Sequence, residues 1–222
     1  IESLRPGKII DVRKSSVRIP SMASLPEHPK VLDLVEQVIG PDLILHTQTG
    51  IPKLPGDDEG TKTPWHQDAM GFVHEACPMG QLGIWFTLQD ADVRHGTLWL
   101  VPGSHRWGLL PGGYGGTLYL HIDEAATRFE DRGDRIRMTP PASEPVTLPA
   151  CGIPMAAGDL LCFNSLVLHC SRANHEDRVR WAFTYRFQSA LAPTGLPSDY
   201  KPRVLRRSLM TRLLERIPLE RT

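Results

Sequence analysis

The sequence predicts a mainly β fold with modest helical additions, and three observations lead there. Nineteen glycines and 20 prolines among 222 residues punctuate short apolar runs along the whole chain, the pattern of strands joined by turns. Residues 179 to 189 alternate strictly: Val179, Trp181, Phe183, Tyr185 and Phe187 fall on one side, and Arg180, Ala182, Thr184, Arg186 and Gln188 on the other. That period of two belongs to a strand with one apolar and one polar face. Only one segment in the body of the chain carries a clear helical period.

That helix is predicted over Pro29 to Ile39. Val31, Leu34, Val35 and Val38 recur at helical spacing, Pro29 suits the first turn, and Gly40-Pro41 ends the element. Leu43 to Thr49 reads as a strand. Gly50 to Thr63, rich in glycine, proline and charge, reads as a flexible loop. Two further strands are expected at Leu82 to Gln89 and Thr97 to Val101, separated by a polar turn, Asp90 to Gly96, and closed by Pro102-Gly103-Ser104-His105.

Residues 111 to 158 are the least regular stretch. A short strand at Thr117 to His121 precedes a charged run, Asp123 to Arg137, and a proline-rich one. They are expected to form an insertion beside the core of a single domain spanning 1–222. Strands resume at Asp159 to Asn164 and Val179 to Ser189. The tail, with apolar residues at 205, 209, 213 and 217, is expected to form a surface helix over about 203–217.

Lys plus Arg and Asp plus Glu balance at 25 each, so no net field draws the chain to nucleic acid or to a membrane surface. A small-molecule partner is expected instead. No apolar run is long enough to span a bilayer. None of the four cysteines, Cys77, Cys151, Cys162 and Cys170, forms a C-x-x-C pair, and three lie in or beside apolar stretches. Buried thiols in a reducing, cytoplasmic setting are expected. The chain begins at Ile1 without a methionine or a signal-peptide pattern, and the expectation is that its natural start lies upstream.

The chemistry-bearing residues form two clusters about a hundred positions apart. His66-Gln67-Asp68 follows the Gly/Pro-rich loop; His169-Cys170-Ser171-Arg172-Ala173-Asn174 runs on to Arg180. In an extended segment His66 and Asp68 turn toward the same point, and His169 completes two imidazoles and one carboxylate. Such a set leaves coordination positions open and suits a non-haem ferrous ion that must also bind a co-substrate and oxygen. Arg180, on the polar face of its strand, needs an anionic partner if that face lines a cavity. A ligand carboxylate held through two parallel hydrogen bonds and an internal Asp or Glu both meet that need. Met70, Phe72 and Val73 are candidates for contact with an apolar substrate, and Gln48, with His46, for the border of the pocket. His105, Cys162 and Cys170 read as structural.

Several of these segments together resemble the phytanoyl-CoA dioxygenase family: Trp65-His66-Gln67-Asp68, the run from Gly96 to His105, Gly158-Asp159, and His169-x-Ser171-x-x-Asn174 with Arg180 eleven residues after His169. The match spans roughly residues 30 to 190 in order. The resemblance implies a double-stranded β-helix, the jelly-roll or cupin-like barrel, with flanking helices, and an iron(II)- and 2-oxoglutarate-dependent oxygenase that consumes O2 and releases succinate and CO2. It implies that His66, Asp68 and His169 bind iron and that Arg180 holds the distal carboxylate of 2-oxoglutarate with Ser171 beside it. Trp85, Lys53 and Thr97 then border the co-substrate. The segment before residue 30 is shorter than is usual in the family. A related halogenating subgroup replaces the metal carboxylate by a small residue, and the presence of Asp68 disfavours halogenation.

The expected activity is oxidation, by default hydroxylation, of a small, partly apolar metabolite. Two other readings remain. A zinc-dependent hydrolase uses the same three ligands but gives Arg180 and Ser171 no task. A non-catalytic small-molecule-binding barrel uses the cavity alone.

Overall fold

The computed structural model describes residues 12–13, 19–56, 62–71, 80–115, 119–191 and 203–206. After α1 (Pro20–Ala23) comes α2 (Pro29–Ile39), with the bounds the helical period predicts. His28 Nδ1 accepts from the Lys30 N–H at its start, and Gly40, at φ 88°, ends it. Its buried residues are Val31, Leu32 and Val35; Leu34 and Val38 of the expected stripe stay exposed. The buried face is therefore rotated toward Leu32.

The strands are β1 (Val12–Arg13), β2 (Leu43–Lys53), β3 (Thr63–His66), β4 (Gln81–Thr87), β5 (Leu98–Leu100), β6 (Gly112–Gly113), β7 (His121–Ile122), β8 (Glu130–Asp131), β9 (Arg135–Met138), β10 (Val146–Pro149), β11 (Cys151–Gly152), β12 (Leu160–Asn164), β13 (His169–Ser171), β14 (Arg180–Ser189) and β15 (Arg203–Arg206). The larger sheet runs β1-β2-β14-β4-β12, with β15 also pairing on β2. The smaller runs β11-β5-β13-β3, and every pairing in both is antiparallel. These are the two sheets of the mainly β jelly roll.

Apolar side chains form three layers. The alternation of β14 sends Phe183, Tyr185 and Phe187 to the helix side, where they pack with Leu43, Leu45, Leu82, Ile84, Phe86 and α2. Between the sheets lie Trp85, Leu98, Met155, Phe163 and Ala182. Behind the smaller sheet, Trp65, Val101, Leu168 and Cys170 pack against Ile122, Phe129, Ile136 and Met138. Those last four belong to the segment expected to be an irregular insertion. It holds more regular structure than the sequence pattern suggests: the β10-β9-β8 sheet, the β6-β7 pair and a single helical turn, α3 (Glu124–Thr127). It is tied down where Trp65 Nε1 and Arg172 both donate to Asp131, at 2.9 and 3.2 Å.

Two expectations about elements are corrected. Gly50 to Lys53, read as loop, continue β2 because β14 pairs with them residue by residue from Phe183 to Arg180. Continuous pairing with β14 outweighs the weak strand preference of Gly50 and of Pro52, which cannot donate to the ladder. Residues 203–206, read as the start of a helix, form β15 on the edge of β2; residues 207–217 lie outside the described residues, as do Thr117, Leu118 and Cys77. Cys151, Cys162 and Cys170 are free thiols, and burial pushes Cys170 up to about 12. No helix among the described residues is long and apolar enough to cross a membrane.

Phe187 is fully buried in the helix-side layer. Phe187→Ala is expected to lower stability by about 3–5 kcal/mol, read as a fall in the urea midpoint with an unchanged slope.

Candidate metal centre

Pairing of β3 with β13 sets His66 directly opposite His169, with ring centroids 4.2 Å apart. Asp68 reaches the pair by a route the sequence did not suggest. It opens a turn of 3-10 helix, Asp68–Gly71, that leaves the end of β3. Its Oδ1 lies 3.6 Å from His66 Nε2 and 3.8 Å from His169 Nε2. One ligand atom from each residue falls within 4.8 Å of the others, and all three side chains are buried. No other such trio of His, Cys, Asp or Glu occurs among the described residues.

The imidazoles are pre-set as ligands. Each Nδ1 donates to the carbonyl two residues before it, His66 to Pro64 and His169 to Val167, both at 2.8 Å. That bond fixes the tautomer and leaves the Nε2 lone pair directed at Asp68. Burial, with His66 adding to it, pushes His169 down to about 3, so at neutral pH it has the uncharged form that metal binding requires. The turn itself is held by Gln67, which sequence reasoning passed over as a spacer. Fully buried, it donates to the carbonyls of Gly108 and Leu166 at 2.9 and 2.6 Å and accepts from the Leu110 N–H at 2.7 Å.

Burial by itself would raise the carboxyl of Asp68. The guanidinium of Arg186 on β14, which pairs with Oδ1, outweighs it and holds Asp68 well below the ordinary carboxylate range. Its Oδ2 is buried and has no hydrogen-bond partner. A buried carboxylate with one bare oxygen, gathered with two imidazole lone pairs within 4.8 Å, is costly unless something electropositive lies among them. Two nitrogens and a carboxylate, with no thiolate in the set, suit iron(II) or zinc alike. The donor set thus fits the ferrous ion expected from the sequence.

The polar face of β14 lines the inside of the larger sheet, as its alternation predicts. Arg180 meets no Asp or Glu among the described residues. Its guanidinium is spread over three backbone carbonyls, Ile51 and Gly96 at 3.1 Å and His95 at 3.4 Å, and lies 5.3 Å from the Trp85 ring centroid. Burial pushes it down to about 9. Lys53, opposite Arg180 in the β2–β14 register, donates to the carbonyls of Ser171 and Arg172 at 3.3 and 2.5 Å. Burial and then the charge of Arg180 hold its ammonium well below the usual lysine value. Arg180, Trp85, Lys53 and Ser171 therefore converge. The Gly96 turn locks against them: at φ +68°, a Cβ there would stand 2.6 Å from the Arg172 carbonyl and 2.8 Å from the Lys53 side chain.

Other expectations fare differently. The Thr97 hydroxyl donates to the Ile153 carbonyl at 2.6 Å, tying β5 to the next segment, with its proton already spent. Gln48 pairs with Tyr185 and so shares the helix-side face of β2, away from the metal-facing side that carries Thr47; a register shift between Arg186 and Phe187 makes such facing hard to read from sequence. Met70 lies on the 3-10 turn and packs against the layer behind the smaller sheet. Phe72 and Val73 lie outside the described residues. Asn174 orders its turn by donating to the Lys53 and Arg178 carbonyls. A surface cleft of about 470 Å³ lined by Pro111, Thr127, Thr139, Pro140 and Glu144 includes none of the site residues.

A sequence model described as Phytanoyl-CoA dioxygenase (PhyH) matches residues 8–182. Phytanoyl-CoA dioxygenase domain-containing protein 1 of Mus musculus is 28% identical over 189 residues, covering 82% of this chain and 57% of the relative. The Danio rerio protein of the same name is 30% identical over 178 residues, covering 77% and 52%. The chain spans about half the length of the curated relatives it matches. Among solved structures, the non-heme monooxygenase ThoJ aligns with a TM-score of 0.65 at 22% identity, over 89% of this chain and 65% of that one. The alpha ketoglutarate dependent epimerase SnoN aligns at 0.62 and 23%, over 89% and 78%. EvdO2 from Micromonospora carbonacea var. aurantiaca aligns at 0.56 and 26%, over 90% and 74%.

The depressed His169 has a measurable consequence for the metal-free protein. In the unfolded chain it takes up a proton near pH 6.5, in the fold only near about 3. Between those values the unfolded state binds the extra proton, so stability rises with pH and is lost as pH falls through the interval. Urea midpoints between about pH 5 and 7 should show this slope, and His169→Gln should flatten it by about one proton.

Proposed function

Because this chain belongs to the phytanoyl-CoA dioxygenase family, we propose that it is an iron(II)- and 2-oxoglutarate-dependent oxygenase that hydroxylates a small, partly apolar metabolite, releasing succinate and CO2. The observation that carries this reading is the pairing of two centres, the metal trio at the smaller sheet and Arg180 on β14 of the larger one. The buried cluster of His66, Asp68 and His169 offers an open donor set. Arg180, buried nearby, has no carboxylate partner among the described residues. A zinc hydrolase needs only the first centre. An oxo-diacid co-substrate needs both.

In this reading the two Nε2 atoms and the Asp68 carboxylate hold iron. Bound there, iron(II) together with 2-oxoglutarate and oxygen supplies the means to take a hydrogen from an unactivated carbon. The chain's residues do the rest. Arg180 and Lys53 receive the distal carboxylate of the oxo-acid, and the fork of Arg180 exchanges its shared carbonyl bonds for two charge-assisted ones. Trp85, Leu98, Met155 and Phe163 wall the space between the sheets and keep water from the reacting centre. Support for a small-molecule substrate comes from the fold shared with SnoN, whose structure holds Fe3+, alpha ketoglutarate and nogalamycin RO.

Anaerobic addition of Fe(II) and 2-oxoglutarate is expected to give a weak visible charge-transfer band, and admission of air to give succinate. A zinc hydrolase gives neither signal; a binding barrel gives at most the first. Arg180→Met should weaken 2-oxoglutarate binding on the order of 10- to 100-fold, the worth of a charge-assisted hydrogen bond, with iron affinity unchanged. Equal co-substrate affinity in the two proteins would remove the anchoring role from Arg180.

A further inference from the structure

The polar face of β14 carries a second arginine at the site, and the oxygenase reading gives it no task. Arg186 reaches from β14 to Asp68, where one terminal nitrogen bonds Oδ1; the other lies 3.4 Å from Thr47 Oγ1 on β2. The guanidinium is thus held at two points, the Asp68 carboxylate and the Thr47 hydroxyl. Its route crosses β4 at Gly83, the residue paired with Arg186. A Cβ at Gly83 would stand 3.3 Å from Phe163 and 3.6 Å from Asp68 Oδ2, so the backbone of β4 lies close beside the carboxylate. The result is an asymmetric carboxylate: Oδ1 bonded to a fixed cation, Oδ2 buried and bare.

We propose that Arg186 is a positioning residue for the metal carboxylate, restraining Asp68 to offer the metal a single oxygen. The inference rests on the metal-site reading above. A freely rotating carboxylate can bind an ion through both oxygens and so fill a position that co-substrate or oxygen requires. A guanidinium bonded to one oxygen opposes that rotation through a directional, charge-assisted contact. Arg186 keeps 23% of its side chain exposed at the edge of the buried trio, so it can stay in place when an ion enters.

The test titrates the metal-free chain with Co(II), reading affinity by calorimetry and ligand geometry by the visible d–d band. Arg186→Met is expected to weaken Co(II) by roughly 10- to 100-fold, the usual effect of losing an outer partner of a ligand. It should also change the band as the second oxygen enters. Arg186→Lys is expected to recover most of the affinity. Wild-type affinity with a wild-type band in Arg186→Met would overturn the proposal, and so would tighter binding, which would make Arg186 a competitor for Asp68. A Lys variant no better than Met would leave packing as the cause, also overturning it. Should Arg186→Met fail to fold, Arg186→Gln decides: about tenfold weaker binding supports the role, and unchanged binding overturns it. Failure of the wild-type chain to bind Co(II) more tightly than Asp68→Ala would instead sink the metal-site reading itself.

Discussion

Antiparallel pairing of β3 with β13 sets His66 opposite His169, and the chemistry at the centre depends on that register. A slip of one residue would send one imidazole to the other face of the smaller sheet. The register is protected from both sides. Trp65 and Cys170, next to the two histidines in sequence, point the other way into the layer behind the sheet. The Ser104 hydroxyl links two segments by donating to the Val101 carbonyl and accepting from the Leu168 N–H. Packing on one face thus determines the position of ligands on the opposite face.

Charge is distributed on the inner wall in a way a purely structural barrel would avoid. Asp68 and Arg186 compensate each other, and removing either partner of such a buried pair typically costs about 3–5 kcal/mol. Among the described residues Arg180 has carbonyl dipoles and the Trp85 ring, enough to hold the guanidinium but not to neutralise it. Burial pushes it down to about 9, still above neutral pH, so the cation persists at a cost that a bound carboxylate would repay. Lys53 beside it adds a second ionisable group to the same corner. A site arranged this way favours a dianion over a neutral ligand.

The segment between β5 and β12 contributes to the centre without touching it. Ile122, Phe129, Ile136 and Met138 complete the layer behind the smaller sheet. Asp131 holds both Trp65 and Arg172, the neighbours of a metal histidine and of Ser171. The β8–β10 sheet is therefore a brace for the two ligand-bearing strands.

Much of this was legible in the residues themselves. The helix over Pro29–Ile39 and the two faces of β14 follow from periodicity, and the trio of His66, Asp68 and His169 from ligand chemistry, both local properties of the chain. What remained hidden was non-local. Gly50 to Lys53 are strand only because β14 lies alongside, and Gln48 faces away because a register shift in the β2–β14 pairing alters the count. Gln67 and Gly83 matter through atoms that fold in from positions far along the chain, and nothing in their sequence neighbourhood announces it. Sequence alone determined which groups can bind a metal and an anion. Only tertiary structure decided that Arg180 would be buried against backbone carbonyls and that Arg186 would take the carboxylate, because a guanidinium's partner is set by which strands lie within its reach.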